Sequence, residues 1–150
     1  MSDSLFIEIG THQQQKNSED CFGDTVFSKK IPEEQRIISI LSDGLGSGVK
    51  ANILSSMTTR MAMKFVESNM ELLRSSEVMM DALPICQVRK ISYATFSIVD
   101  SELGGKTRII EMDNPPHMFI RDFKPLTVKC RELSSPKWKD RTISISQVTT

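Results

Sequence analysis

Cysteine is scarce in this sequence: Cys21, Cys86 and Cys130 are the only three among 150 residues, and no two form a Cys-X-X-Cys pair. An odd, dispersed set argues against a disulfide framework and a zinc ribbon, and a reducing cytoplasm is its simplest home. An excess of one charge is also lacking. Nineteen Lys and Arg balance nineteen Asp and Glu, which removes the electrostatic case for a nucleic-acid or anionic-membrane surface. No apolar run approaches the roughly 18 residues of a membrane span. The opening residues include Asp3 and lack the basic-then-apolar layout of a secretory leader. What remains is an ordinary globular balance, 39% hydrophobic and 25% charged. The length suits one domain, residues 1–150, with a buried core.

Periodicity divides the chain into three stretches. Leu5, Ile7 and Ile9 alternate with Phe6 and Glu8, which predicts a first strand, and the polar residues 11–20 predict a loop. A second strand begins at Thr25, and a turn at Ile31-Pro32 leads to a third over 36–41, apolar enough for burial on both faces. Val49, Ile53, Met57, Met61 and Phe65 then recur every four residues, predicting a helix whose apolar stripe faces the core. A second helix is predicted over 70–83, ended by Pro84. Strand patterning returns from Ile91, turns at Leu103-Gly104-Gly105, and continues through 107–112, 117–121, 126–131 and 141–148. One of these later turns is placed at Phe123-Lys124-Pro125. Segregated strands and helices of this kind indicate an α+β fold of mostly antiparallel sheets.

The chemistry concentrates at Ser42-Asp43-Gly44-Leu45-Gly46-Ser47-Gly48, where an aspartate ends a buried strand and three alternating glycines precede a helix. Three readings are open. One is a flexible turn capped by Asp43. Another is a nucleotide site at the helix N-terminus, although the spacing is GxGxG and no GxxxxGK[ST] loop is present. The third makes Asp43 a ligand of a hard cation such as Mg²⁺ or Mn²⁺, with the Gly44 carbonyl beside it. A second acidic group, Glu19-Asp20-Cys21-Phe22-Gly23-Asp24, lies upstream. If the strands around it are antiparallel neighbours, Asp24 at the start of one meets Asp43 at the end of the next.

Gly23-Asp24, a strand-turn-strand, and then SDGLGSG followed by Lys50-Ala51 resemble the metal-dependent protein serine/threonine phosphatases. More narrowly, they are similar to the sporulation stage II protein E branch, with its GD and SDGxGxGxxA motifs. Asn114-Pro115-Pro116-His117 resembles a later turn of that branch, and the likeness covers residues 6–128. The resemblance implies a layered β-sandwich of mostly antiparallel sheets flanked by helices, with a two-metal Mn²⁺ or Mg²⁺ centre at one end. It implies Asp43, Asp24 and the Gly44 carbonyl as metal ligands, backed by Asp20, Gly23 and Gly46. No side-chain nucleophile is implied, because a water activated by the cations attacks phosphoserine or phosphothreonine. The implied substrate is a phosphorylated regulatory protein such as an anti-sigma-factor antagonist.

The family also uses later aspartates, one in a second Asp-Gly motif. Here the late aspartates Asp113, Asp122 and Asp140 do not precede glycine. The expectation is a domain incomplete at its C-terminus, binding metal weakly and hydrolysing little by itself. The alternative is a non-catalytic signalling or interaction module with an incomplete site. His12 and His117 read as loop or turn residues, Cys21 as an unreactive thiol, and Trp138 as a partly buried surface aromatic. The methionines of the helices, Met57, Met61, Met63, Met79 and Met80, read as pliable core or as a homodimer face.

Overall fold

A computed structural model describes residues 5–68, 70–83 and 93–150. The expected helix stop at Pro84, the strand start at Ile91 and Cys86 fall outside the described residues. The elements in order are β1 (Asp24–Ile31), a 3₁₀ turn (Pro32–Glu34), β2 (Arg36–Asp43), α1 (Gly48–Glu67), α2 (Leu72–Ala82), β3 (Phe96–Glu102), β4 (Lys106–Met112), β5 (Phe119–Arg121), β6 (Lys124–Leu126), β7 (Cys130–Ser134), a second 3₁₀ turn (Pro136–Trp138) and β8 (Thr142–Thr149). Six strands form one antiparallel sheet in the order β1-β2-β3-β4-β8-β7, and β5 pairs with β6 in a separate hairpin. The α+β class and the antiparallel pairing match the sequence reading.

Alternation along the strands sends Ile38, Ile40, Phe96, Ile98, Ile110 and Met112 to one face, where they are buried together with Ala62, Met63 and Val66 of α1 and Met79 and Met80 of α2. This single helix-covered face is the core. The β5–β6 hairpin is tied to the main sheet by His117 Nδ1 with Glu111 Oε2 at 2.7 Å and by Arg121 Nη2, which donates to the Thr149 carbonyl oxygen at 2.7 Å. Residues 5–10 are not a strand, against expectation. They run beside Lys29, Lys30 and Ile37 and beside Gly105 and Thr107. Without an adjacent ladder, alternation alone does not make a strand.

The predicted stripe of α1 is reversed at its N-terminal half. Val49, Ile53 and Met57 are 65%, 52% and 65% exposed, while Ala51, Ser55, Thr58, Thr59 and Ala62 face the sheet. Small residues let the helix axis lie close to the strands, which side chains of valine or methionine size would prevent. Trp138 is also more deeply placed than expected. Only 5% exposed, it joins the core and donates its Nε1–H to Asp81 Oδ1 at 3.2 Å. The expected turn at Phe123-Lys124-Pro125 shifts back to Asp122-Phe123, both left-handed (φ 51° and 60°), as a two-residue hairpin requires. Lys124 and Pro125 then belong to β6, and the expected strand over 126–131 is divided between β6 and β7.

These placements predict opposite costs for two isoleucines. Ile98→Ala, in the core, lowers unfolding free energy by about 2–5 kcal/mol, whereas Ile53→Ala, on the open face of α1, changes it by under about 1 kcal/mol. Denaturant titration of the two variants measures both.

Candidate functional site

Antiparallel pairing of β1 with β2 puts Asp24 directly opposite Asp43, with Thr25 opposite Ser42 and Val26 opposite Leu41. The two carboxyl groups meet at one rim of the sheet, where Asp24 acts on the ionisation of Asp43. Although Asp43 is an exposed residue at a strand end, partial burial of its carboxyl raises its pKa most. Asp24 adds to this, and Lys16 pulls the other way. The net effect pushes Asp43 up to about 6. Two acids in contact cannot both ionise at ordinary carboxylate pKa values unless a cation joins them.

The turn after Asp43 is shaped by packing. A Cβ on Gly44 would lie 2.0 Å from the Ala51 carbonyl oxygen, so glycine is required for α1 to close against the end of β2. Gly46 and Gly48 have φ of +98° and +66°, which glycine adopts at little cost. A Cβ added at Gly23 would meet the Ala51 side chain at 3.4 Å, an ordinary van der Waals contact. Much of the SDGLGSG pattern is thus explained by the backbone path, which brings a strand end and a helix start around the two acids.

A hydrogen-bond chain fixes the Asp43 backbone. Thr95 N donates to Asp43 O at 2.9 Å, and Asp43 N donates to Thr95 Oγ1 at 3.0 Å. Thr95 Oγ1 donates to Asn114 Oδ1 at 2.5 Å, and Asn114 Nδ2 donates to Ser97 Oγ at 2.6 Å. The Asn114-Pro115-Pro116 turn therefore reaches the site through Thr95. Two small cavities flank Asp43. One, of about 180 Å³, includes Lys16, Glu19, Gly23, Asp24 and Gly46 in its wall. The other, of about 270 Å³, includes Lys16, Gly44, Thr95 and Asp113.

The expected residues Asp24, Asp43, Gly44, Gly23 and Gly46 thus come together, whereas Asp20 lies outside both cavities. Its neighbour Glu19 takes the inward place and accepts a hydrogen bond from Ser47 Oγ at 2.7 Å. Lys16 and Thr95 were not singled out by sequence, Glu19 stood there only as part of the upstream acidic group, and Asp113 was set aside for want of a following glycine. Among the described residues, no three His, Cys, Asp or Glu side chains cluster closely enough to enclose an ion. The donors present are hard oxygens, and two carboxyl groups facing each other are a natural seat for a divalent cation. That set fits one ion completing its shell with water, as Mg²⁺ commonly does.

No protein-family model and no curated protein matches the sequence. Solved structures do match the fold. The structure of the RsbU and RsbW domains of Rv1364c from Mycobacterium tuberculosis aligns at TM-score 0.54 and 16% identity, covering 69% of this chain and 29% of that one. RsbX in complex with magnesium aligns at TM-score 0.54 and 16% identity over 93% of each chain. A chain described under the bacterial stressosome, a modular system adapted to control secondary messenger signalling, aligns at TM-score 0.60 and 14% identity, covering 91% of this chain and 67% of that one. The chain shares its fold with these structures. It spans less than a third of the first of them.

Two outcomes follow from the site. The folded pKa of Asp43 lies above its unfolded value of 3.8, so the native state binds the extra proton, and stability falls as pH rises from about 4 to about 6. In metal-free buffer Asp43→Asn therefore stabilises the protein at pH 7 by about 1 kcal/mol, a value reduced for solvent screening, and hardly at all at pH 4. Thermal unfolding at the two pH values measures the difference. Gly44→Ala, which drives a methyl into the Ala51 backbone, lowers stability by more than about 2 kcal/mol in the same assay.

Proposed function

We propose that this chain is the greater part of a metal-dependent phosphatase domain that hydrolyses phosphoserine or phosphothreonine esters on a regulatory protein. The observation that carries this reading is the register of Asp24 against Asp43 at the sheet rim. Asp24, Asp43 and the Gly44 carbonyl hold Mg²⁺ or Mn²⁺, and the magnesium complex of RsbX, which shares the fold, supports that choice. A bound cation supplies charge neutralisation at the phosphoryl oxygens and a water of lowered pKa. The chain's own residues do the positioning. Thr95 and Asn114 keep the Asp43 strand end in place, and Lys16 brings positive charge to the mouth that receives the phosphate.

The likeness to the RsbU–RsbW and stressosome structures supports a partner-switching role with an anti-sigma-factor antagonist as substrate, and the dispersed, odd set of cysteines suits a cytoplasmic place for it. The exposed row of Val49, Ile53 and Met57 supports a homodimer through the helices. A full two-metal centre needs carboxylates beyond the Asp24–Asp43 pair. That favours a second reading for this chain by itself, a phosphatase-like interaction module without turnover.

A phosphothreonine peptide assay with Mn²⁺ separates the readings. The phosphatase reading expects a slow release of phosphate that is metal-dependent and falls at least about 100-fold in Asp43→Asn, in line with loss of a charge-stabilising group. Release that ignores both Mn²⁺ and Asp43→Asn overturns it. No release, with calorimetric Mn²⁺ binding still lost in Asp43→Asn, selects the module.

A further inference from the structure

A cavity of about 590 Å³ lies in a different part of the sheet from the Asp24–Asp43 rim. Its floor is apolar, formed by Leu72 at the start of α2, Ile110 of β4 and Ile145 of β8, with Leu73 beside them. Its edge is cationic, formed by Arg108, Lys129 and Arg131, against Glu71 as the single acid of the lining. These residues are neighbours by register: Ile110 pairs with Ile145, Arg131 pairs with Ile145 from the other side, and Arg108 pairs with Gln147. The cavity opens on the helix-covered face beyond α1, which packs on β1 and β2.

Arg108 is held in place. Its Nη2 donates to Asp100 Oδ2 at 2.7 Å, while Arg36 grips the same carboxylate through Nε to Oδ1 at 2.7 Å and Nη2 to Oδ2 at 3.0 Å. Asp100 is 1% exposed, so its one negative charge is shared by two guanidinium groups, and the other N–H donors of Arg108 are not used by it. Lys129 and Arg131 have no carboxylate partner among the described residues.

We propose that this cavity binds a small amphipathic organic anion, with an apolar carbon body on Leu72, Ile110 and Ile145 and an anionic head held by Arg108, Lys129 and Arg131. The volume falls in the range of small-ligand sites, roughly 300–1,000 Å³. Charge complementarity selects the head. A neutral apolar ligand would desolvate the cations without pairing them, and a bare anion would leave the apolar floor wet. This site is independent of the phosphatase reading and of any bound metal.

The test titrates the intact chain with decanoate, acetate and decanol by calorimetry. The expected result is saturable one-to-one binding of decanoate, with acetate and decanol each at least about ten-fold weaker. The variant Lys129→Glu/Arg131→Glu, altered only at exposed positions, weakens decanoate binding at least about ten-fold, as loss of charge-assisted contacts implies. Decanoate binding no better than decanol or acetate overturns the proposal. So does binding unchanged in the variant.

Discussion

Two carboxyl groups that would repel each other when ionised face one another where β1 begins and β2 ends. Their confrontation is the constraint around which this end of the molecule is built. A pair of this kind has a free-energy cost in the native state unless a proton or a cation sits between the two acids. The fold nonetheless holds them together. Eight paired positions between β1 and β2 set the register, and a slip of one residue would turn every side chain of β1 to the wrong face. Thr95 ties the Asp43 backbone from β3's side, and Asn114 ties Thr95 to the turn after β4. The proposed cation seat gives this restraint a purpose, since the pair offers oxygen donors of the kind a hard cation takes.

The helix that follows is part of the same arrangement. α1 begins five residues after Asp43 and lies so close to the strand end that only glycine fits at Gly44. Its sheet-facing residues are accordingly small, Ala51, Ser55 and Ala62 among them, and its large N-terminal side chains turn outward. Thr25 and Ser55 hydroxyls meet at 2.8 Å across this contact, so the helix is joined to β1 as well as β2. The site rim and the helix packing are therefore one problem with one solution, and the glycines of the turn serve both.

What was legible in the sequence follows from this. The α+β class, the long buried strand β2 and the meeting of Asp24 with Asp43 were readable, because a strand, a tight turn and a strand leave few registers. The direction of the α1 stripe was not. A period of four locates an apolar face but does not say which face the sheet touches, and here closeness of approach outweighed hydrophobicity. Lys16 could not be found, and the choice of Glu19 over Asp20 within the acidic group could not be made, since their loop, residues 11–20, has no periodicity to place it. Thr95 was invisible for a different reason. Its hydroxyl matters through Asn114 and Asp43, partners 19 and 52 residues away. Trp138 was misjudged because flanking lysines signal a surface, whereas a 3₁₀ turn rotates the indole into the core between them.

The central claim is that Asp24 and Asp43 form one cation seat. Carboxyl carbon NMR of aspartate-labelled protein during Mg²⁺ addition tests it most directly. The account predicts saturable shifts at both Asp24 and Asp43, with Asp43 titrating well below about 6 once Mg²⁺ is present, because the cation replaces the proton. Asp43 titrating near 6 with and without Mg²⁺, and no selective change at Asp24, would contradict it.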